Sequence, residues 1–283
     1  MRNLNLIFQG IIPKFVKLLL KDLHNTLTGN FITKNLKGNK KNYLDIFNEI
    51  KIKKYQQIDN FINDNIFREI DRKFIDDLAL ISQVSIKKSE VNYQHGRLIY
   101  SILDNYINSN KKNLQNFLFV DVGTAKGFSS VIISKCAIDN NINFSVFSFD
   151  IIPHNKKIYW NSIKDLDGKL SREELLNDYK KFTNKISFIK GRTKKKFSKV
   201  LSSDRLNFVF LDGSHDYDDV KYEFDFIKQK QKKGDIIFFD DVTQGHFDGI
   251  VKLVDEIKKN KDYKIEIINS TNFRGYAIAR KLD

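Results

Sequence analysis

The chain has 283 residues, with 49 Lys and Arg against 35 Asp and Glu, a formal charge of +14, and 41% apolar residues that include 24 Phe and 11 Tyr. That length suits one large α/β domain with an appendage, or two small domains, and the aromatic content suffices for a core. A single cysteine, Cys136, excludes an intrachain disulfide and points to a reducing, cytoplasmic compartment.

No run approaches the ~20 apolar residues of a membrane span. The opening MRNLNLIFQG lacks the apolar stretch and cleavage site of a signal peptide. The charge raises a nucleic-acid or membrane-surface partner. Only nine of the 49 basic residues are Arg, however, and Arg is the usual choice for bidentate phosphate recognition. Lys, Asn and Ile are all abundant and all have A/T-rich codons, so compositional drift accounts for the charge and no nucleic-acid partner is expected. The cluster Lys194-Lys195-Lys196 is too short to alter that.

Residues 1–90 read as a helical N-terminal extension and 91–283 as the main domain. After Pro13, the residues Phe15, Val16, Leu19, Leu20 and Leu23 recur at helical spacing between lysines. Packing on the main domain or on a second copy of the chain is favoured over contact of residues 13–23 with an anionic membrane surface. The stretch from Tyr43 to Ile81 has no Gly or Pro and reads as two or three helices.

From Phe117 onward strands alternate with helices: 116–122, a helix over 129–136, 143–150, a helix opened by the capping box Ser171–Glu174, 185–191, a short helix over 195–201, 206–212, a helix over 218–230, 235–241, a helix over 251–257, 264–269 and 273–280. The fold class is therefore α/β. It is a Rossmann-like, mostly parallel seven-stranded sheet with helices on both faces and an antiparallel edge strand from a terminal hairpin.

Asp121-Val122-Gly123-Thr124-Ala125-Lys126-Gly127 links the first strand to its helix. Glycines there let the backbone turn sharply and approach a ligand. Their spacing of four, with no third glycine, is not the dinucleotide fingerprint. Asp150 ends the second strand, where a carboxylate can accept both ribose hydroxyls. The first segment resembles motif I of class I S-adenosylmethionine (SAM) methyltransferases. The resemblance implies SAM held by Asp121, Gly123, Thr124 and Gly127, with its ribose on Asp150.

Two further strands end in acid, at Asp212 and at Asp240-Asp241. Three carboxylates at one sheet edge repel unless neutralised, and a hard divalent cation such as Mg²⁺ would do that. His215 follows Asp212 by three residues, and an imidazole suits a general base. Such a grouping fits transfer to a hydroxyl: a cation lowers its pKa and a base takes its proton. Read separately, the acid pair is a helix N-cap and His215 a loop histidine; that leaves three acids at one edge unexplained.

The run D-G-S-H-x-Y-x-x-V from Asp212, followed by K-G-D-I-I-x-x-D-D ending at Asp241, is similar to bacterial sugar O-methyltransferases of the macrocin and mycinamicin types, and more distantly to catechol O-methyltransferase. That implies Mg²⁺ on Asp212, Asp240 and Asp241, with His215 as base where catechol enzymes have Lys. Asn92 to Arg97 resembles the donor-contacting loop of this group, which adds Tyr93 and Gly96 to the SAM site. The likeness spans about 90–280. Asp240 stands where several relatives have Glu, and residues 1–90 match no part of the family.

By the same resemblance Gly191 and Arg192 fall on the adenine side. His154, Tyr159 and Trp160 lie in a long loop after Asp150, as a lid over an acceptor or as its own packing; His246 reads as a surface histidine. The expectation is a Mg²⁺-dependent O-methyltransferase acting on a sugar or glycosylated metabolite, a small-molecule or glycan acceptor, with a homo-oligomer left open. The alternatives are an RNA methyltransferase and a SAM-binding module without catalysis.

Overall fold

The structure, a computed structural model, describes residues 33–283 apart from 66, 203, 204, 272 and 273. The amphipathic segment 13–23 lies outside the described residues. Among them, no helix is long and apolar enough to cross a membrane.

The helices before the sheet are α1 (Lys40–Lys51), α2 (Gln56–Asp64), α3 (Arg72–Ser82) and α4 (His95–Asn110). The stretch 43–81 is thus three helices. Asn39 starts α1 with a reciprocal capping box, accepting from Asn42 N at 3.1 Å while its own N–H donates to the Asn42 side chain. α4 begins inside the segment expected to be a donor loop. Leu98, Ile99, Ile102, Leu103, Tyr106 and Ile107 repeat at helical spacing along it, and all are buried.

The remaining elements are β1 (Phe117–Val122), α5 (Phe128–Asp139), β2 (Phe144–Asp150), β3 (Ile186–Lys190), α6 (Thr193–Val200), β4 (Phe208–Leu211), α7 (Tyr217–Lys228), β5 (Ile236–Phe239), α8 (Asp248–Asn260), β6 (Tyr263–Thr271) and β7 (Arg274–Lys281). The seven expected strands form one sheet in the order β3-β2-β1-β4-β5-β7-β6. β1 to β5 are parallel, and β7 pairs antiparallel with both β5 and β6. The terminal hairpin is at the edge as expected, with β6 outermost and β7 inside it.

Parallel strands buried on both faces read as continuous apolar runs. Along β4, Phe208 and Phe210 enter one core while Val209 and Leu211 enter the other. α6, α7 and α8 cover the second core through Phe197, Phe224 and Leu253. α4 and α5 cover the first, and Tyr43, Ile58 and Ile75 of α1, α2 and α3 belong to that same apolar cluster as Phe119, Phe210 and Tyr276. The described part of the N-terminal extension therefore shares its core with the sheet.

The helix expected from Ser171 to Phe182 has its capping box but breaks into single turns at Arg172–Leu175, Asn177–Tyr179 and Lys180–Thr183. The break falls at Asn177-Asp178, whose side chains compete for backbone groups and weaken helix interiors.

Candidate active site

Ligands of open α/β sheets sit beyond the carboxyl ends of the strands, where strand order reverses. Here the chain goes from β1 outward through β2 to β3, then returns to β4 on the other side of β1. The crevice falls between β1 and β4.

The turn from Gly123 to Gly127 lines one side of it. Gly123 and Gly127 have φ of +86° and +93°, which L side chains rarely adopt. A Cβ on Gly123 would stand 2.0 Å from the Asp212 carbonyl oxygen, whereas one on Gly127 would stand 2.6 Å from Leu176 Cδ1. Both glycines thus serve close packing of the turn, Gly123 against backbone and Gly127 against a movable side chain. Gly123→Ala should cost about 2–5 kcal/mol, from overpacking and positive φ together. Gly127→Ala should cost less; equal melting temperatures for the two variants would contradict this.

Thr124 Oγ1 lies 3.0 Å from Ser130 Oγ. Asp121 is fully buried and takes hydrogen bonds from Ser129 Oγ (2.8 Å) and Ser130 Oγ through Oδ2. Its Oδ1 is buried with no hydrogen-bond partner. Burial pushes its pKa up, although the hydroxyl donors oppose that. Asp150 accepts from Ala125 N at 2.6 Å and from Ile152 N at 2.7 Å, so it fastens the turn to the end of β2. Burial raises its pKa, against the pull of Arg172 and the backbone donors.

The acid cluster stands across the crevice at the ends of β4 and β5. One ligand atom from each of Asp212, His215 and Asp241 lies within 4.8 Å of the others. His215 Nε2 is 3.0 Å from Asp241 Oδ2, and its ring packs on Phe247 at 4.3 Å between centroids. Asp241 has φ +58°, an uncommon conformation for a non-glycine residue that turns the chain sharply after β5.

Asp240 is not in that group. It is 0% exposed and bound by Arg274 of β7, with Nη2 at 2.6 Å and Nε at 3.3 Å. The same guanidinium reaches to 3.8 Å from Asp241 Oδ1. A protein cation therefore carries part of the neutralisation expected from a metal alone. Burial and the carboxylates of Asp240 and Asp241 push Asp212 well above the usual carboxylate range. Burial likewise raises Asp240 in spite of Arg274. For Asp241 burial acts in the same direction, but His215 and Arg274 outweigh it and hold its pKa below the ordinary value. Lys87 lies in the field of all three acids; burial and Arg274 nevertheless lower its pKa.

Tyr93 and Gly96 have other contacts. The Tyr93 hydroxyl donates to Asp76 Oδ1 at 2.7 Å, and Gly96 permits α4 to cross α5 against Ile132 and Phe128. Between them His95 is buried with its ring 5.0 Å from Phe128 and 6.0 Å from Phe210, and burial holds its pKa well below the usual histidine value.

The loop after Asp150 has a small core of Ile152, Ile158, Trp160 and Leu175. Trp160 Nε1 donates to Leu170 O at 2.8 Å, and Tyr159 O accepts from Thr33 N at 3.1 Å. The His154 ring stacks on Phe188 at 4.3 Å. Arg172, 1% exposed, donates to Ala125 O at 2.7 Å and lies between the Trp160 and Phe188 rings. It clamps this loop to the glycine turn. Gly191 N donates to Asp150 O at 2.7 Å, while Arg192 is the extended residue immediately before α6 and His246 is exposed.

Residues 120–242 match the family model described as a methyltransferase domain. That segment, which holds the glycine turn, Asp150, Asp212, His215 and Asp241, is therefore similar to methyltransferase domains. No curated protein sequence matches the chain. Among solved structures it is similar to TomG, an O-methyltransferase from Streptomyces achromogenes involved in tomaymycin synthesis and solved with SAM. That likeness has 12% identity, a TM-score of 0.52, and covers 82% of this chain and 100% of the other. The O-methyltransferase NovP is similar at 15% identity and TM-score 0.50, over 69% and 82% of the two chains. At these identities the likeness is one of fold.

Around this site, sequence reasoning passed over Arg172, Arg274 and Lys87. For the arginines a signal exists: a chain with nine Arg among 49 basic residues keeps guanidinium where its planar fork is needed. Lys87 has no such mark among so many lysines.

Proposed function

We propose that the chain is a SAM-dependent O-methyltransferase that acts on a hydroxyl of a sugar or glycosylated metabolite and uses a divalent cation, Mg²⁺ by donor chemistry. The observation that carries this reading is the Asp212–His215–Asp241 cluster facing the glycine turn across the β1/β4 crevice.

The residues of the turn fit SAM. The unpartnered, buried Oδ1 of Asp121 suits an ammonium group such as that of the methionine end, and Asp150 keeps lone pairs for ribose hydroxyls. SAM supplies an electrophilic methyl on a sulfonium. The acid cluster fits a hard cation, because it offers two carboxylates and an imidazole within reach of one centre while Asp240 remains on Arg274. A cation held by Asp212 and Asp241 would polarise the acceptor hydroxyl.

The chain's own residues do the rest. Asp241 orients the His215 imidazole, which takes the hydroxyl proton as the oxygen attacks. Arg274 and Lys87 keep the edge from accumulating negative charge. The Arg172-clamped loop excludes water beside the turn, and alignment of oxygen and methyl carbon supplies much of the acceleration.

The test is methyl transfer from labelled SAM to a panel of glycosides, with and without EDTA. EDTA should abolish turnover and leave SAM affinity unchanged in calorimetry, and added Mg²⁺ should restore turnover. Full turnover in EDTA would remove the metal from this reading. Loss of SAM binding in EDTA would contradict the separation of donor and cation sites.

A further inference from the structure

Lys126 is the residue of the glycine turn with no task in the reaction above. It is 1% exposed. Its Nζ donates to Ser85 Oγ at 2.6 Å and to the Asn161 carbonyl at 3.0 Å. Both acceptors are neutral. The charged groups that face it are Asp165, in the turn after Asn161, and Lys87 on the segment with Ser85. Burial pulls the amine down to about 7, with Asp165 opposing and Lys87 adding to the shift. A buried ammonium without a carboxylate in contact is expensive, and an apolar residue of similar length would fill the space more favourably.

The two acceptors belong to two different walls of the site. The Asn161 side chain donates to Ile86 O and accepts from Ile86 N, each at 3.0 Å, and accepts from Tyr43 OH at 3.4 Å. Ser162 Oγ donates to Ile81 O at 2.6 Å. The arm 81–87 and the loop 158–162 are therefore sewn together, and Lys126 ties both to the turn. Lys87, at the end of the arm, lies in the field of Asp212, Asp240 and Asp241.

We propose that Lys126 is a positioning residue that transmits filling of the donor turn to the arm bearing Lys87 and to the loop 158–162, so that the acceptor side is organised after SAM is in place. This rests on the donor reading above. A ligand that fixes the backbone at Ala125 to Gly127 fixes the base of the Lys126 side chain, and its two hydrogen bonds fix the walls. The link is retained in spite of its cost to stability, as functional groups often are.

Hydrogen exchange of the full chain, with and without SAM, tests this. In the wild type SAM should slow exchange in 121–130, and also in 83–90 and 158–163. In Lys126→Met protection of 121–130 should persist while that of the two walls falls severalfold, with a melting temperature at pH 6 no lower than the wild type. Ser85→Ala, which removes one acceptor from outside the turn, should lose the same wall protection. Unchanged wall protection in both variants, or a lower melting temperature for Lys126→Met at pH 6, would overturn the proposal. If SAM protected nothing, 121–130 included, the donor reading would fall and this proposal with it.

Discussion

Turnover of His215→Ala should fall roughly 10²–10⁴-fold, the usual worth of a positioned general base. SAM affinity should be unchanged, because His215 stands with Asp241 on the acid side of the crevice, opposite the glycine turn. Asp241→Asn separates the roles: it weakens a hard oxygen ligand and also the carboxylate that orients the ring. Its loss should therefore respond in part to excess Mg²⁺, while that of His215→Ala should not. Wild-type turnover in His215→Ala would assign proton removal elsewhere.

Arg274→Ala should destabilise the fold by about 3–5 kcal/mol, because it strands the fully buried Asp240 without its cation. The melting temperature should drop on the order of 10 °C. The penalty depends on pH, with a definite sign. Burial already raises the Asp240 pKa, and loss of Arg274, which opposes that shift, raises it further. A folded-state pKa above the unfolded value means that the native state binds the extra proton, so the variant is least impaired below the unfolded carboxylate pKa and loses stability as pH rises through the folded value. Mg²⁺ should stabilise the variant more than the wild type, since a ligand that binds only the native state adds stability by mass action. A variant as stable as the wild type at pH 8 would show that the Asp240–Arg274 pair contributes nothing net.

The sheet was readable because each strand is a short apolar run that ends in a turn signal, and because parallel strands need helices between them. Asp212, Asp240 and Asp241 were readable as strand-end acids for the same reason. Their division of labour was not. Asp240 and Arg274 are 34 residues apart in sequence, and only the register of β7 beside β5 brings them together. α4 has a helical repeat that starts inside the segment resembling a donor loop, and the packing of Gly96 against α5 follows from that helix. Motif resemblance located the glycine turn, yet the reason for its glycines is steric: one is pressed against the Asp212 carbonyl and the other against Leu176.

The position of β7 also bears on synthesis. β7 follows β6 in sequence but lies inside it, between β6 and β5. A nascent chain that has emerged only through β6 has five parallel strands ready to associate and a sixth with no neighbour to pair with. Until β7 inserts, the free edge of β5 and the whole of β6 are exposed to other nascent chains on the same message, the situation in which unpaired strands cause aggregation. Insertion of β7 closes that edge and, in the same event, delivers Arg274 to Asp240, so a ribosome-bound intermediate with the first five strands assembled would lack a charge-balanced acid cluster.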